Sequence, residues 1–266
     1  ANASNSYAVA IGYQAKASAT YSFSFGYNSE AAGDNSFAIG TYGLNADGTV
    51  NNSRPTKTFQ PYSVAMGMGA QASQKGDMAF GVNSSASGSY STAMGYSPVS
   101  SGAYSTAIGY QASSTGTYST AMGYTASSEG NYSAALGMGA STTGSYATSI
   151  GYYSRAYGNK STAIGAQYSQ TFYIRNCNRL TGVCILIPIT LNRYNTAEGD
   201  YSLAIGNGNY SKNGGMSFGS NNSANSMGAV AIGHSNVADS AYSVAFGANN
   251  VAKGYTAFAF GENLTA

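Results

Sequence analysis

Tryptophan is absent from this 266-residue chain, which has one histidine, two cysteines and four prolines, and only 8% of its residues are charged. Each shortage removes a class of function. His234 is alone and sits at a variable position after a repeat glycine, so no nucleophile–base–acid constellation can be assembled around it. Two cysteines and that histidine cannot complete a four-ligand zinc site. Eleven basic and nine acidic residues are scattered along the chain, giving a net charge of +2. That balance offers no electrostatic footprint for nucleic acid or an acidic membrane surface. No apolar run approaches the length of a membrane span. The glycine-rich stretches lack the Gly-Lys-Ser/Thr ending of a phosphate loop. The composition therefore predicts a protein that is not an enzyme and holds neither cofactor nor metal.

Glycine and tyrosine are abundant instead, with 35 and 24 residues, and they recur in register. A large apolar residue followed by glycine appears at Phe80-Gly81, Met94-Gly95, Ile108-Gly109, Met122-Gly123, Leu136-Gly137, Ile150-Gly151 and Ile164-Gly165, each step being 14 residues. The same pair stands at Ile11, Phe25, Ile39 and Met66, and again at Ile205, Phe218, Ile232, Phe246 and Phe260. The intervals from Gly40 to Gly67 and from Gly165 to Gly206 are 27 and 41 residues. Both read as one repeat plus an insertion, at about 44–61 and 166–196. Such periodicity is the signature of a repeat fold.

Within a unit such as Gly109 to Met122, two glycines mark off halves in which side chains alternate with period two, as strands require. Two glycines per unit would cost about 1 kcal/mol each inside helices. At corners they supply positive φ or close backbone approach. Each unit is thus expected to be one coil of two short strands, and stacked coils would align equal letters into ladders. The whole chain, 1–266, reads as a single all-β solenoid of about sixteen such coils. The apolar ladder (Ile11, Phe25, Ile39, Met66, Phe80, Met94, Ile108, Met122, Leu136, Ile150, Ile164, Ile205, Phe218, Ile232, Phe246, Phe260) is the expected core, each member contributing roughly 1.5–3 kcal/mol on burial. The residue before each ladder position is alanine or serine. Because that column faces away from the ladder, it reads as crowded, either the inside of a second packed layer or a subunit interface, of which the interface is favoured.

A unit reading Tyr-Ser-Val-Ala-Phe-Gly from Tyr242 to Gly247, then Asn-Asn-Val-Ala-Lys-Gly from Asn249 to Gly254, resembles the head repeats of YadA-type trimeric autotransporter adhesins. The motif recurs at Ser6 to Gly12, Gln14 to Ala17, Ser105 to Gly109 and Ser161 to Gly165. The resemblance implies a left-handed parallel β-roll, a homotrimer around a three-fold axis, display on a cell surface and adhesion to host matrix or other surfaces. The sequence carries neither the heptad stalk nor the membrane anchor of that family, which leaves an isolated head or a free-standing protein. It is also richer in tyrosine, with ladders at Tyr90, Tyr104, Tyr118, Tyr132 and Tyr146, and at Tyr96, Tyr110 and Tyr124. The second set is a candidate contact surface, since tyrosine supplies interface area at low entropic cost; the bland reading is that stacked rings merely stabilise the roll.

The second insertion departs from the repeat. Thr171 to Cys177 and Cys184 to Leu191 read as two β segments turned at Leu180–Gly182. A Cys177–Cys184 disulfide would staple that hairpin, with two reduced thiols as the alternative. Its apolar residues, Phe172, Ile174, Ile185, Leu186, Ile187, Ile189 and Leu191, form a candidate assembly arm, because an exposed apolar strand invites pairing; folding back on its own roll is the other possibility. With such an arm the chain would instead be a self-assembling subunit of an extracellular filament, its rolls stacked end to end.

Overall fold

The computed structural model describes residues 1–177 and 184–266, of which 168–177 and 184–192 are described by their backbone. Every secondary-structure element among them is a β-strand. The chain divides into two compact units, Ala1–Thr148 and Ser149–Ala266. Both are wound as a parallel β-solenoid from 14-residue coils.

The coil from Gly102 to Thr115 shows how the local sequence dictates this path. A long strand, Thr106–Tyr110, and a short one, Ser113–Ser114, form its two sides. The chain turns between them at Tyr104 and Gln111, whose φ angles are 56° and 51°. Gly109 ends the apolar pair with φ 131°, a conformation that excludes a side chain. Gly102 has no such φ. A Cβ added there would lie 2.0 Å from the carbonyl oxygen of Gly116 in the next coil, so close approach requires the glycine.

Equal letters stack. Thr106, Ala107 and Ile108 pair in parallel with Thr92, Ala93 and Met94 on one side and with Thr120, Ala121 and Met122 on the other. Ser113 and Ser114 pair with Ser127 and Ser128. In the second unit Val230–His234 pairs with Val244–Ala248 in the same fashion. Long strands form one sheet of each unit and short strands the other.

What lies between the two sheets overturns the expected core. Ala107 and Ser114 are 0% exposed, and Ser105 and Ala112 are 1% exposed. In the first unit Ala65, Ala70, Ala72, Ala79, Ala86 and Ala93 cluster in the interior, and in the second Ala224, Ala229, Ala231, Ala238, Ala245, Ala252 and Ala259. Serine hydroxyls bridge the gap, with Ser100 Oγ to Ser105 Oγ and Ser114 Oγ to Ser119 Oγ both at 2.6 Å. The apolar ladder is on the outside. Ile11, Phe25, Met66, Met94, Met122, Ile150, Ile164, Phe246 and Phe260 are exposed on the single chain. Ile39, Phe80, Ile108, Leu136, Ile205, Phe218 and Ile232 are half-buried. The period-two alternation holds, but its two sides are exchanged. Two strands joined by such tight corners leave room for small side chains, mostly alanine and serine, and not for isoleucine, methionine or phenylalanine. The alanine column is accordingly the interior of the coil, not an interface.

The coil resumes within the stretch 44–61 expected for the first insertion. Phe37–Thr41 pairs directly with Val64–Met68, and Lys57–Thr58 already pairs with Glu30–Ala31. The excursion is a small antiparallel hairpin of Gly43–Leu44 and Val50–Asn51. Asp47 closes its turn by accepting hydrogen bonds from Thr49 N at 2.9 Å and Thr49 Oγ1 at 2.6 Å. In the second unit Thr162–Ala166 pairs with Leu203–Asn207 across the longer insertion. There Tyr168–Cys177 and Cys184–Arg193 run antiparallel, in a register that sets Cys177 opposite Cys184, Phe172 opposite Ile189 and Ile174 opposite Ile187. The expected turn at Leu180–Gly182, the two thiols and the side chains of Phe172, Ile174, Ile185, Leu186, Ile187, Ile189 and Leu191 lie outside the described residues.

One interior column changes character between the units. Where the first unit has Ala70, Ala112, Ala126 and Ala140, the second has Asn195, Asn209, Asn222, Asn236 and Asn250, all 0% exposed. Each is satisfied along the stack. Asn236 Nδ2 donates to Ile232 O at 2.8 Å and Gly247 O at 2.7 Å, and its Oδ1 accepts Asn250 N at 3.0 Å. Buried amides cost free energy unless paired in this way.

Asp77 occupies a corner position filled elsewhere by serines such as Ser91 and Ser105, and is 0% exposed. It accepts from Gln74 N at 2.7 Å, Ser91 N at 2.9 Å and Ser91 Oγ at 3.0 Å. Burial nevertheless pushes its carboxyl above the ordinary value, outweighing those hydrogen bonds. A raised folded-state value means stability is greatest with the group protonated and declines as pH rises through it. Asp77→Ser is therefore expected to raise the melting temperature at pH 7, with the gain shrinking as pH falls toward about 4; a pH series of thermal melts checks both. Gly116→Ala, whose Cβ would lie 2.1 Å from Gly130 O, is expected to cost about 2–3 kcal/mol through overpacking, measured by thermal or denaturant unfolding.

Candidate interaction surface

With the interior filled by small residues, the outer face of the long strands becomes the main apolar feature of each unit. Its rows follow from strand alternation. In Thr92–Tyr96 the outward residues are Thr92, Met94 and Tyr96, and in Thr106–Tyr110 they are Thr106, Ile108 and Tyr110. Elsewhere in the first unit the rows are more apolar, with Val9 and Ile11, Phe23 and Phe25, Phe37 and Ile39, and Met78 and Phe80. The second unit continues the theme with Met216 and Phe218, Val244 and Phe246, and Phe258 and Phe260. Exposure of 48% at Ile11, 43% at Met94 and 40% at Phe246 shows that these side chains are only partly covered on the single chain. Isolated exposed apolar residues are ordinary, but columns repeated at every coil are the mark of an interaction site.

Tyrosines border this face. Tyr96, Tyr110 and Tyr124 stack with ring centroids 5.2 and 4.8 Å apart, and they flank the ladder across the glycine column. The structure thus brings the candidate contact tyrosines together with the ladder residues on one surface. His234 also lies on the outer side, at the end of Val230–His234. Among the described residues no three His, Cys, Asp or Glu side chains are grouped so as to hold a metal ion.

Both insertions are tethered by an arginine that the repeat pattern conceals. Arg54 and Arg193 each stand two residues before an interior position of the resumed coil, Thr56 and Asn195. Arg54 donates from Nε to Gly69 O at 2.9 Å and from Nη2 to Asn83 O at 3.0 Å. Asn83 in turn clasps the hairpin, donating to Leu44 O at 2.7 Å and accepting from Leu44 N at 3.1 Å. Arg193 donates to Asn221 O at 3.2 Å, to Asn221 Oδ1, and to Ser223 Oγ at 2.8 Å. Asn83 and Asn221 occupy the same corner, two coils beyond their arginines, with φ 53° and 59°. Burial lowers both guanidinium values, yet arginine remains charged and its fork suits paired carbonyls. Beside the second insertion, Arg155 lies 3.4 Å from the Tyr194 ring centroid. The signal was present in the sequence: with each insertion removed, the two arginines align.

A parallel solenoid with alanine and serine inside and an apolar, tyrosine-bordered face outside defines a β-solenoid repeat protein. The chain belongs to the YadA head domain repeat family, which matches residues 3–29, 22–42, 72–97, 100–124, 114–140, 143–167, 194–209, 211–236, 224–250 and 238–263. The family is one of adhesin-like surface repeats without enzymatic activity. No curated protein matches the chain.

Removing the Arg54 fork leaves the Gly69 and Asn83 carbonyls without its donors. Arg54→Ala is expected to cost about 1.5–3 kcal/mol and to make the Gly43–Asn51 hairpin the first site of cleavage in limited proteolysis. Arg54→Lys is expected to recover only part of the protection, since one ammonium cannot reproduce the fork.

Proposed function

We propose that this chain is the head module of an extracellular adhesin, displayed at a cell surface and assembled as a homotrimer through the apolar outer face of its long strands. The observation that carries this reading is the column of large apolar residues that lies on the outer face, exposed or half-buried, on the single chain. A face of this kind gains by being covered, since burying apolar area contributes about 25 cal/mol per Å². Three copies offering identical columns supply self-complementary ridges and grooves, and closed symmetry satisfies all of them at once. Tyr96, Tyr110 and Tyr124, at the edge of the face, suit the rim of that assembly and contact with host matrix or another surface. Three-fold repetition of weak surface contacts would add avidity.

The reading generates a separation of fold from assembly. Because the ladder is outside the coil, Ile108→Lys with Met122→Lys leaves the alanine–serine interior untouched. Sedimentation equilibrium is expected to give three times the chain mass for the parent protein and the single-chain mass for the double variant. Circular dichroism is expected to show β structure in both. A parent protein that sediments as a monomer would sink the trimer, and long periodic fibres in electron micrographs would favour a filament subunit joined through the 171–191 arm.

A further inference from the structure

Tyr90, Tyr104, Tyr118, Tyr132 and Tyr146 occupy one corner of five successive coils, all within the unit Ala1–Thr148. Their φ angles are 59°, 56°, 55°, 55° and 58°, a conformation unusual for a bulky residue. Identical backbones aim the rings identically. Successive centroids are 5.4, 4.8, 5.0 and 5.0 Å apart, and the ring planes differ by 7°, 3°, 12° and 4°. Aromatic pairs left to themselves favour offset or edge-to-face arrangements; coil register imposes this near-parallel stack. Each ring is 46–57% exposed on the single chain. The unit contains neither cysteine nor tryptophan, the side chains that would otherwise draw oxidising equivalents away from tyrosine.

We propose that this column is a site of oxidative tyrosine–tyrosine coupling, in which a peroxidase using hydrogen peroxide joins the phenol rings of adjacent coils. Each oxidised phenol gives up one electron and its hydroxyl proton, leaving a phenoxyl radical with spin density on the ortho carbons. Two radicals on neighbouring rungs form one carbon–carbon bond between ortho positions. The ortho hydrogens leave as protons while the phenolic oxygens are reprotonated, so both hydroxyls are restored. Two tyrosines thereby lose two electrons and two protons, and one hydrogen peroxide takes them up to become two waters. Every rung has a stacked neighbour, so a second oxidation need only strike the adjacent ring. Partners lie 14 residues apart in sequence, and each bond therefore ties one coil to the next. Five rungs admit two disjoint pairs.

The test treats the full chain with a haem peroxidase and limiting hydrogen peroxide. Dityrosine fluorescence is expected while the protein still migrates as a single chain on a denaturing gel, with mass spectrometry of a thermolysin digest placing the links between consecutive rungs. The coupled protein is expected to melt at a higher temperature than the untreated one. Tyr104→Phe with Tyr132→Phe keeps all five rings but leaves Tyr90, Tyr118 and Tyr146 two coils apart. That variant is expected to keep its circular dichroism and the Tyr96–Tyr110 link while losing every link in the five-rung column. The proposal is overturned if the folded parent forms no link in this column, or if links join rungs at random or chiefly join separate chains. An unchanged column yield in the double variant, with Tyr90, Tyr118 and Tyr146 coupling as readily, overturns it equally.

Discussion

The backbone of one coil lies so close to the next that the carbonyl oxygen of Gly123 is where a methyl group on Gly109 would have to be. The same holds for Gly233 against Gly247. This approach sets everything else. It holds the registers Ala93↔Ala107 and Ala231↔Ala245, and with them the lateral columns of alanine, serine, asparagine and tyrosine. It also explains why the repeat tolerates so much change outside while its glycines persist. A side chain at an outer position can be valine, threonine, methionine or phenylalanine without disturbing the stack.

The division of labour between the two sides of a strand follows. Inside, cohesion comes from small groups, short hydroxyl bridges and backbone ladders. Outside, the large apolar side chains gain nothing from the coil that carries them beyond contact with their neighbours above and below. The Ile11–Phe260 series stays exposed or half-buried, so a single chain stands with much of its apolar surface still in contact with water. A coil of two strands is too thin to enclose an isoleucine.

The periodicity made the fold legible. Ladder positions 14 residues apart, strands in each half and excursions in two places were all readable from the glycine pairs. Which side of the strand faces inward was not, because alternation is symmetric and a reading displaced by one residue exchanges the two faces. The usual association of large apolar residues with interiors decided wrongly between Ile108 and Ala107. The size of the lumen is a property of the corner geometry at Tyr104 and Gln111, and composition does not reveal it. Arg54, Arg193 and the asparagine column from Asn195 to Asn250 were visible as recurring letters, but their roles depend on carbonyls in coils one and two steps away. Asp77 escaped notice because its position looks like an ordinary polar corner until its burial is known.

The alanine–serine interior has a thermal consequence. The heat capacity released on unfolding comes chiefly from apolar surface newly exposed to water, about 12–15 cal/mol/K per residue in ordinary globular domains. A single coil of this protein conceals mostly methyls, hydroxyls and peptide groups, while its large apolar side chains are already wetted. Its increment should fall below that range, so the stability curve of the isolated chain is shallow, changing little between cold and warm water. Covering the outer face would restore the missing heat capacity, and the curvature of stability with temperature becomes a property of the assembly rather than of the chain.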